Sequence, residues 1–188
     1  MASWGKPMRG GVAVLGLTAV LSGCNSSDGD SVGSSASPTH TIAAEVPAGF
    51  DACKDIPQSL LQSEQLIKPE VDSKDGNAGI KWRGCGWIQS DGYSATIDTT
   101  NITLDMVRAN KEFTVAEELT IAGRPAVTSY LGGQDPHVDC AINVEMKGGS
   151  LEISIDNPRS RKKSGTQHSC DIAKRLAEGI APAIAAGA

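Results

Sequence analysis

Two histidines stand just ahead of two cysteines, in Asp135-Pro136-His137-Val138-Asp139-Cys140 and in His168-Ser169-Cys170. Imidazole changes charge near neutral pH and is a common metal ligand. A bond between Cys140 and Cys170 would bring His137 and His168 close together, with Asp139 nearby. That set could hold a divalent metal or act as an acid–base pair. The plainer reading is two exposed loop histidines beside a structural disulfide. No catalytic residue is assigned and no cofactor is implied.

The elements that must position these groups begin with the cysteines. There are five, at 24, 53, 85, 140 and 170, so one stands outside any intramolecular pairing. No Cys-x-x-Cys occurs, which argues against a zinc cage or a thioredoxin-like redox pair. Export favours disulfides, and four cysteines allow three pairings. The pattern favours Cys140–Cys170, because Cys140 falls on the core face of its strand and Cys170 opens the helix that should cover that face. Cys53–Cys85 would then tie the segment before the first helix to the first strand.

The leader explains the fifth thiol. Lys6 and Arg9 form a positive start, Gly10 to Leu21 is an apolar run of 12 residues, and Ser22 and Gly23 are small. This is a signal segment over residues 1–23, well short of the roughly 20 apolar residues that span a bilayer. Leu21-Ser22-Gly23-Cys24 resembles a bacterial lipobox. The resemblance implies cleavage before Cys24 and acylation of its thiol with chains such as palmitate. Each buried CH2 contributes about 0.8 kcal/mol, so two or three chains anchor firmly. Residues 24–49 then form a lipidated N-terminus and a tether of Ser, Gly, Asp, Thr and Pro, too poor in apolar groups to fold. It would span roughly 25–30 Å as a random coil. His40 lies in it and reads as a solvated linker residue.

Residues 50–188 read as one domain. Pro57 to Leu66 is a short helix with Pro near its start. Ile80–Gln89 and Tyr93–Thr99 form a hairpin around Ser90-Asp91-Gly92, and Thr103–Phe113 is a helix that Thr103 caps. Glu118–Ala122 and Pro125–Leu131 pair across Gly123-Arg124. Val138, Cys140, Ile142, Val144 and Met146 alternate with polar residues, as do Leu151, Ile153 and Ile155. A Gly148-Gly149 turn sets Met146 against Leu151 and puts both apolar rows on one face. In Ser169–Ala186, Ile172, Leu176, Ile180 and Ile184 form a helical stripe that Pro182 perturbs. The fold class is α+β: a largely antiparallel sheet of about six strands with helices packed on it. Trp82 and Trp87, five apart, face opposite sides of their strand, one in the core and one free to line a groove or seat a helix.

The formal net charge is −5, and loss of Lys6 and Arg9 with the leader takes it to −7. That balance argues against nucleic acid as a partner. Arg159, Arg161, Lys162 and Lys163 form one basic cluster, either a solvated loop or a contact for anionic lipid headgroups or an acidic polymer.

Lipobox and polar tether precede Phe50-Asp51-Ala52-Cys53, then Arg83-Gly84-Cys85-Gly86-Trp87, then Cys140 and a final helix opened by Cys170. This series resembles the single-domain cell-envelope lipoproteins of actinobacteria that are grouped as a domain of unknown function. The resemblance implies an envelope location and two disulfides, and brings no catalytic residues. The order of elements also resembles the PsbP-like sandwich, a fold analogy only. The expected role is a non-catalytic lipoprotein on the extracytoplasmic face of the cell membrane that binds a lipid, glycan or envelope protein. An apolar cavity between sheet and helix is what a small ligand would require. The competing role is a metal-dependent enzyme or metal-binding protein using His137, Asp139 and His168.

Overall fold

Alternating side chains build the sheet. A computed structural model describes residues 42–188. The signal segment, Cys24, His40 and the tether as far as residue 41 lie outside the described residues. In chain order the elements are α1 (Gln58–Ser63), β1 (Leu66–Asp75), β2 (Lys81–Gln89), β3 (Ser94–Thr100), α2 (Leu104–Ala109), β4 (Phe113–Ile121), β5 (Arg124–Leu131), β6 (Asp139–Met146), β7 (Gly149–Asp156) and α3 (Ser169–Ile180). Short 3-10 turns follow β1 at Asn77–Gly79 and α3 at Ala181–Ala183. The sheet is seven-stranded in the order β1-β2-β3-β7-β6-β5-β4, with every neighbouring pair antiparallel.

Seven strands correct the expected six. The added one is β1, whose sequence LIKPEVDSKD is polar and carries Pro69. An edge strand tolerates this, because one side of its backbone needs no ladder partner, and Pro69 sits where the register shifts between Ile67 and Glu70. The helix expected to reach Phe113 stops at Ala109, and Phe113 opens β4. Thr103 does cap α2, its Oγ1 accepting the Met106 amide at 3.3 Å.

Two turns move by small steps. Met146 pairs with Gly149, so the β6–β7 turn is Lys147-Gly148 rather than Gly148-Gly149. The pairing changes by two residues, which leaves every side chain on its expected face. Gly148 holds the positive φ of +84° that the turn needs. Gly149 is required for another reason: a Cβ there would collide with the Thr100 carbonyl oxygen of β3. The β4–β5 turn is Ala122-Gly123, both at positive φ, and pairs Ile121 with Arg124.

One face of the sheet is the core. Ile97, Ile142, Leu151 and Ile153 are fully buried there beneath Ile172, Leu176 and Ile180 of α3. The stripe ends as Pro182 implied, α3 giving way to a 3-10 turn after Ile180. Arg175 of α3 pairs with Glu64 at 2.8 Å, and Glu64 also accepts the Tyr93 hydroxyl at 2.9 Å, which joins α3, α1 and the β2–β3 hairpin. Part of the expected tether belongs to this body. The Ala43 carbonyl accepts from Asn101 at 2.7 Å, Glu45 pairs with Lys81 at 2.7 Å, and Pro47 is buried. A buried side amide and an ion pair hold residues 42–49 to the domain, so the folded unit begins before Phe50.

Both disulfides are present, Cys53–Cys85 with Cα atoms 5.2 Å apart and Cys140–Cys170 at 5.1 Å. They close loops with separations of 32 and 30 residues. In the chain-entropy account each contributes about 3–4 kcal/mol. Replacing either pair by serine should lower the urea midpoint by a comparable amount for both. Unchanged midpoints in the variants would show that the covalent links add nothing to stability.

Candidate functional site

The second face of the sheet carries the polar chemistry. Cross-strand pairing aligns Asp72 of β1, Gly84 of β2, Asp98 of β3, Glu152 of β7 and Asn143 of β6 in one row. Neighbours in such a row are about 4.8 Å apart. Three carboxyl groups therefore share it, separated at one place by a residue without a side chain. A Cβ on Gly84 would collide with Asp98 Oδ1, so the glycine is what lets that carboxyl lie flat across β2. Asp98 is 2% exposed, and its Oδ1 has no hydrogen-bond partner among the described residues. Burial, with the Asp72 and Glu152 charges beside it, pushes its pKa up to about 7.

Lys74 is the nearest counter-charge. It pairs with Asp72 at 3.1 Å and lies 5.3 Å from the centre of the Trp82 ring. The two tryptophans take opposite faces: Trp87 is in the core and Trp82 is half-buried on this face. Glu152 accepts from Asn143 Nδ2 at 3.1 Å, and burial raises its pKa. Asn143 Nδ2 also donates to Ser150 Oγ at 3.0 Å, and Ser150 Oγ donates to the Ile102 carbonyl at 2.8 Å. The row thus runs into the segment leading to α2.

Helix α2 covers only the far part of this face. Leu104 and Val107 pack on Val127, with Ile102 and Phe113 against them. Next to that cluster the sheet side chains are small: Ser129, Ala141 and Ser154. The missing volume leaves a cavity of about 200 Å³ between sheet and helix. Ile102, Val107, Phe113 and Leu131 wall it, and Asn143, Glu152 and Asp139 bring polar groups to it. Burial, and Asp156 opposite in the ladder, raise the Asp139 pKa.

The histidine set assembles in part. The rings of His137 and His168 lie 5.5 Å apart. His168 Nδ1 accepts the Cys170 amide at 3.3 Å as the N-cap of α3, and the His137 carbonyl accepts the Ser169 hydroxyl at 2.8 Å. His137 Nδ1 is buried without a partner among the described residues. No group of three His, Cys, Asp or Glu suited to a metal ion occurs among the described residues. The pair is therefore built into the start of α3.

The basic cluster is also partly committed. Arg159 pairs with Asp135 at 2.8 Å, and Lys163 Nζ donates to Gln65 at 2.7 Å. Arg161 and Lys162 are exposed and make no salt bridge among the described residues. The loop follows Asp156, whereas residue 43 docks beside Asn101, at the other end of the strands. A Gly-x-Ser-x-Gly string at residues 29–33 lies outside the described residues.

Residues 19–183 match the model of a family described as "Protein of unknown function (DUF3558)". The chain belongs to the DUF3558 family. The match spans Cys24 and all four disulfide cysteines. No curated protein and no solved structure matches this DUF3558 chain.

Asp72, Asp98, Glu152 and Asn143 went unnoticed in the sequence. A signal was there for two of them. Asp98 follows Ile97, and Glu152 stands between Leu151 and Ile153, so each is a carboxylate inside an apolar strand, where a charge is costly. Asp72 lies in a polar segment whose sequence pattern assigns it to no element.

The raised Asp98 pKa has a thermodynamic consequence. In the unfolded chain this carboxyl loses its proton near pH 4; in the fold it keeps it to about pH 7. The folded state binds the extra proton between those values, so its contribution is complete below pH 4 and is lost as pH rises to 7. The upper limit is about 4 kcal/mol. Asp98→Asn should flatten the pH dependence of the melting temperature between pH 5 and 8 and raise it most at pH 8. Parallel pH profiles for the two proteins would contradict the assignment.

Proposed function

We propose that the protein is a lipoprotein of an actinobacterial cell envelope, held on the extracytoplasmic face of the membrane by acyl chains on Cys24, that binds a small ligand without transforming it. The order of positive residues, apolar run and lipobox supports the anchor, and two disulfides suit an oxidising compartment. Helices on both faces of an antiparallel sheet suit the PsbP-like analogy. The observation that carries the binding role is the cavity under α2, with small side chains on its floor, apolar walls and polar groups at one end. Between Cys24 and residue 42 the chain would reach about 23 Å as a random coil. Ala43 docks at the Asn101 end of the strands, and the cavity runs from Ile102 at that end to Asp139 and Phe113 at the other.

The metal reading rests on the imidazole pair alone. Zinc heats that vanish in the His137→Ala/His168→Ala protein would favour it over the binding role.

The anchor is tested by fractionation. Mature protein from the envelope should carry its acyl mass on Cys24, and Cys24→Ala should leave the membrane fraction for the medium. A variant that stays with the membrane would overturn the lipid anchor.

A further inference from the structure

The charge of the cavity under α2 narrows what can occupy it, given the binding role proposed above. We infer that it takes a small organic cation, an ammonium group carried on a compact apolar body. The carboxyl groups that line it are those of Asp139 and Glu152, and no Lys, Arg or His lines it among the described residues. Its remaining lining is largely apolar. An anion would meet two carboxyl groups and no counter-charge. A neutral apolar ligand would leave the carboxyl of Glu152 in a less wet site, hydrogen-bonded to neutral groups alone: the Asn143 amide at 3.1 Å and the Trp82 and Ser154 side chains. A cation supplies the missing charge.

Lys74, the basic side chain nearest the row, does not fill that role at the cavity. It is engaged with Asp72 at 3.1 Å and lies over the Trp82 ring. A bare metal ion suits the site poorly, because hard cations need about six oxygen ligands and no group of three His, Cys, Asp or Glu placed to hold one occurs among the described residues. An alkylammonium ion keeps its charge on a weakly hydrated, apolar surface, and the apolar walls suit it. Phe113 also lines the cavity, and the quadrupole of an aromatic ring attracts a desolvated cation. The volume, about 200 Å³, is roughly that of seven waters and holds one such group with little to spare.

Three probes of nearly equal shape separate the possibilities: choline, its neutral carbon isostere 3,3-dimethylbutan-1-ol, and the anion 3,3-dimethylbutanoate. Calorimetric titration of the purified protein at pH 8 should give choline at least tenfold tighter binding than the alcohol, and no binding of the anion. Glu152→Gln should weaken choline at least tenfold and leave the alcohol unchanged; Asp139→Asn provides the same comparison should the first variant fail to fold. Equal affinities for choline and the alcohol, blocked by Ala141→Leu, would overturn the cation and keep the ligand-binding role. Absence of binding by all three at millimolar concentration would overturn both.

Discussion

The two-residue repeat of the strands couples the core to the polar face. Ile97, Ile153 and Ile142 pair across β3, β7 and β6 and are fully buried under α3. One residue along, Asp98, Glu152 and Asn143 pair in the same way on the other side. A slip of one residue would send two carboxyl groups into the core and three isoleucines to the surface. The burial of the isoleucines therefore fixes where the carboxyl groups stand. Gly149 reinforces this register at the end of the strands, since no larger residue fits against the Thr100 carbonyl.

Cover on the two faces is unequal. α3, α1 and the segment around Phe50 close the core face, whereas α2 has only six residues and reaches the β4–β6 side of the other. Between the end of that short cover and the small side chains of Ser129, Ala141 and Ser154 there is nothing to fill the space. Large apolar residues at those three positions would have made a second solid layer. The acidic row continues beyond α2 toward β1, where Gly84 lets Asp98 lie against the sheet and Lys74 bridges to Trp82. A face that is neither fully covered nor fully solvated holds carboxyl groups out of water and beside one another, and both effects raise the Asp98 pKa.

The two ends of the strands have different tasks. One end receives the chain at Ala43 through Asn101 and the Glu45–Lys81 pair. The other holds the Cys140–Cys170 bond, the histidine pair and the basic loop, which Asn157 closes by donating to the Ser164 and Gln167 carbonyls at 2.8 and 2.9 Å. His168 and Ser169 contribute as cap and clamp for α3, and that structural duty accounts for their position next to Cys170.

Local pattern alone determined much of this protein. The apolar alternation of β6 and β7, the stripe from Ile172 to Ile184 and the Cys140–Cys170 pairing were legible because each depends on spacing within a short segment or on one shared face. The hairpin at Asp91 was legible through its turn residues. The strand β1 was not, because an edge strand needs no apolar alternation and β1, polar and carrying Pro69, shows none. The acidic row and the cavity were not legible either. They arise where β1, β2, β3, β7 and β6 stand side by side, and where a helix is too short to cover small residues brought together from three strands. Sequence periodicity reports which face a residue takes; only the folded sheet decides which residues share that face, and what is left uncovered above them.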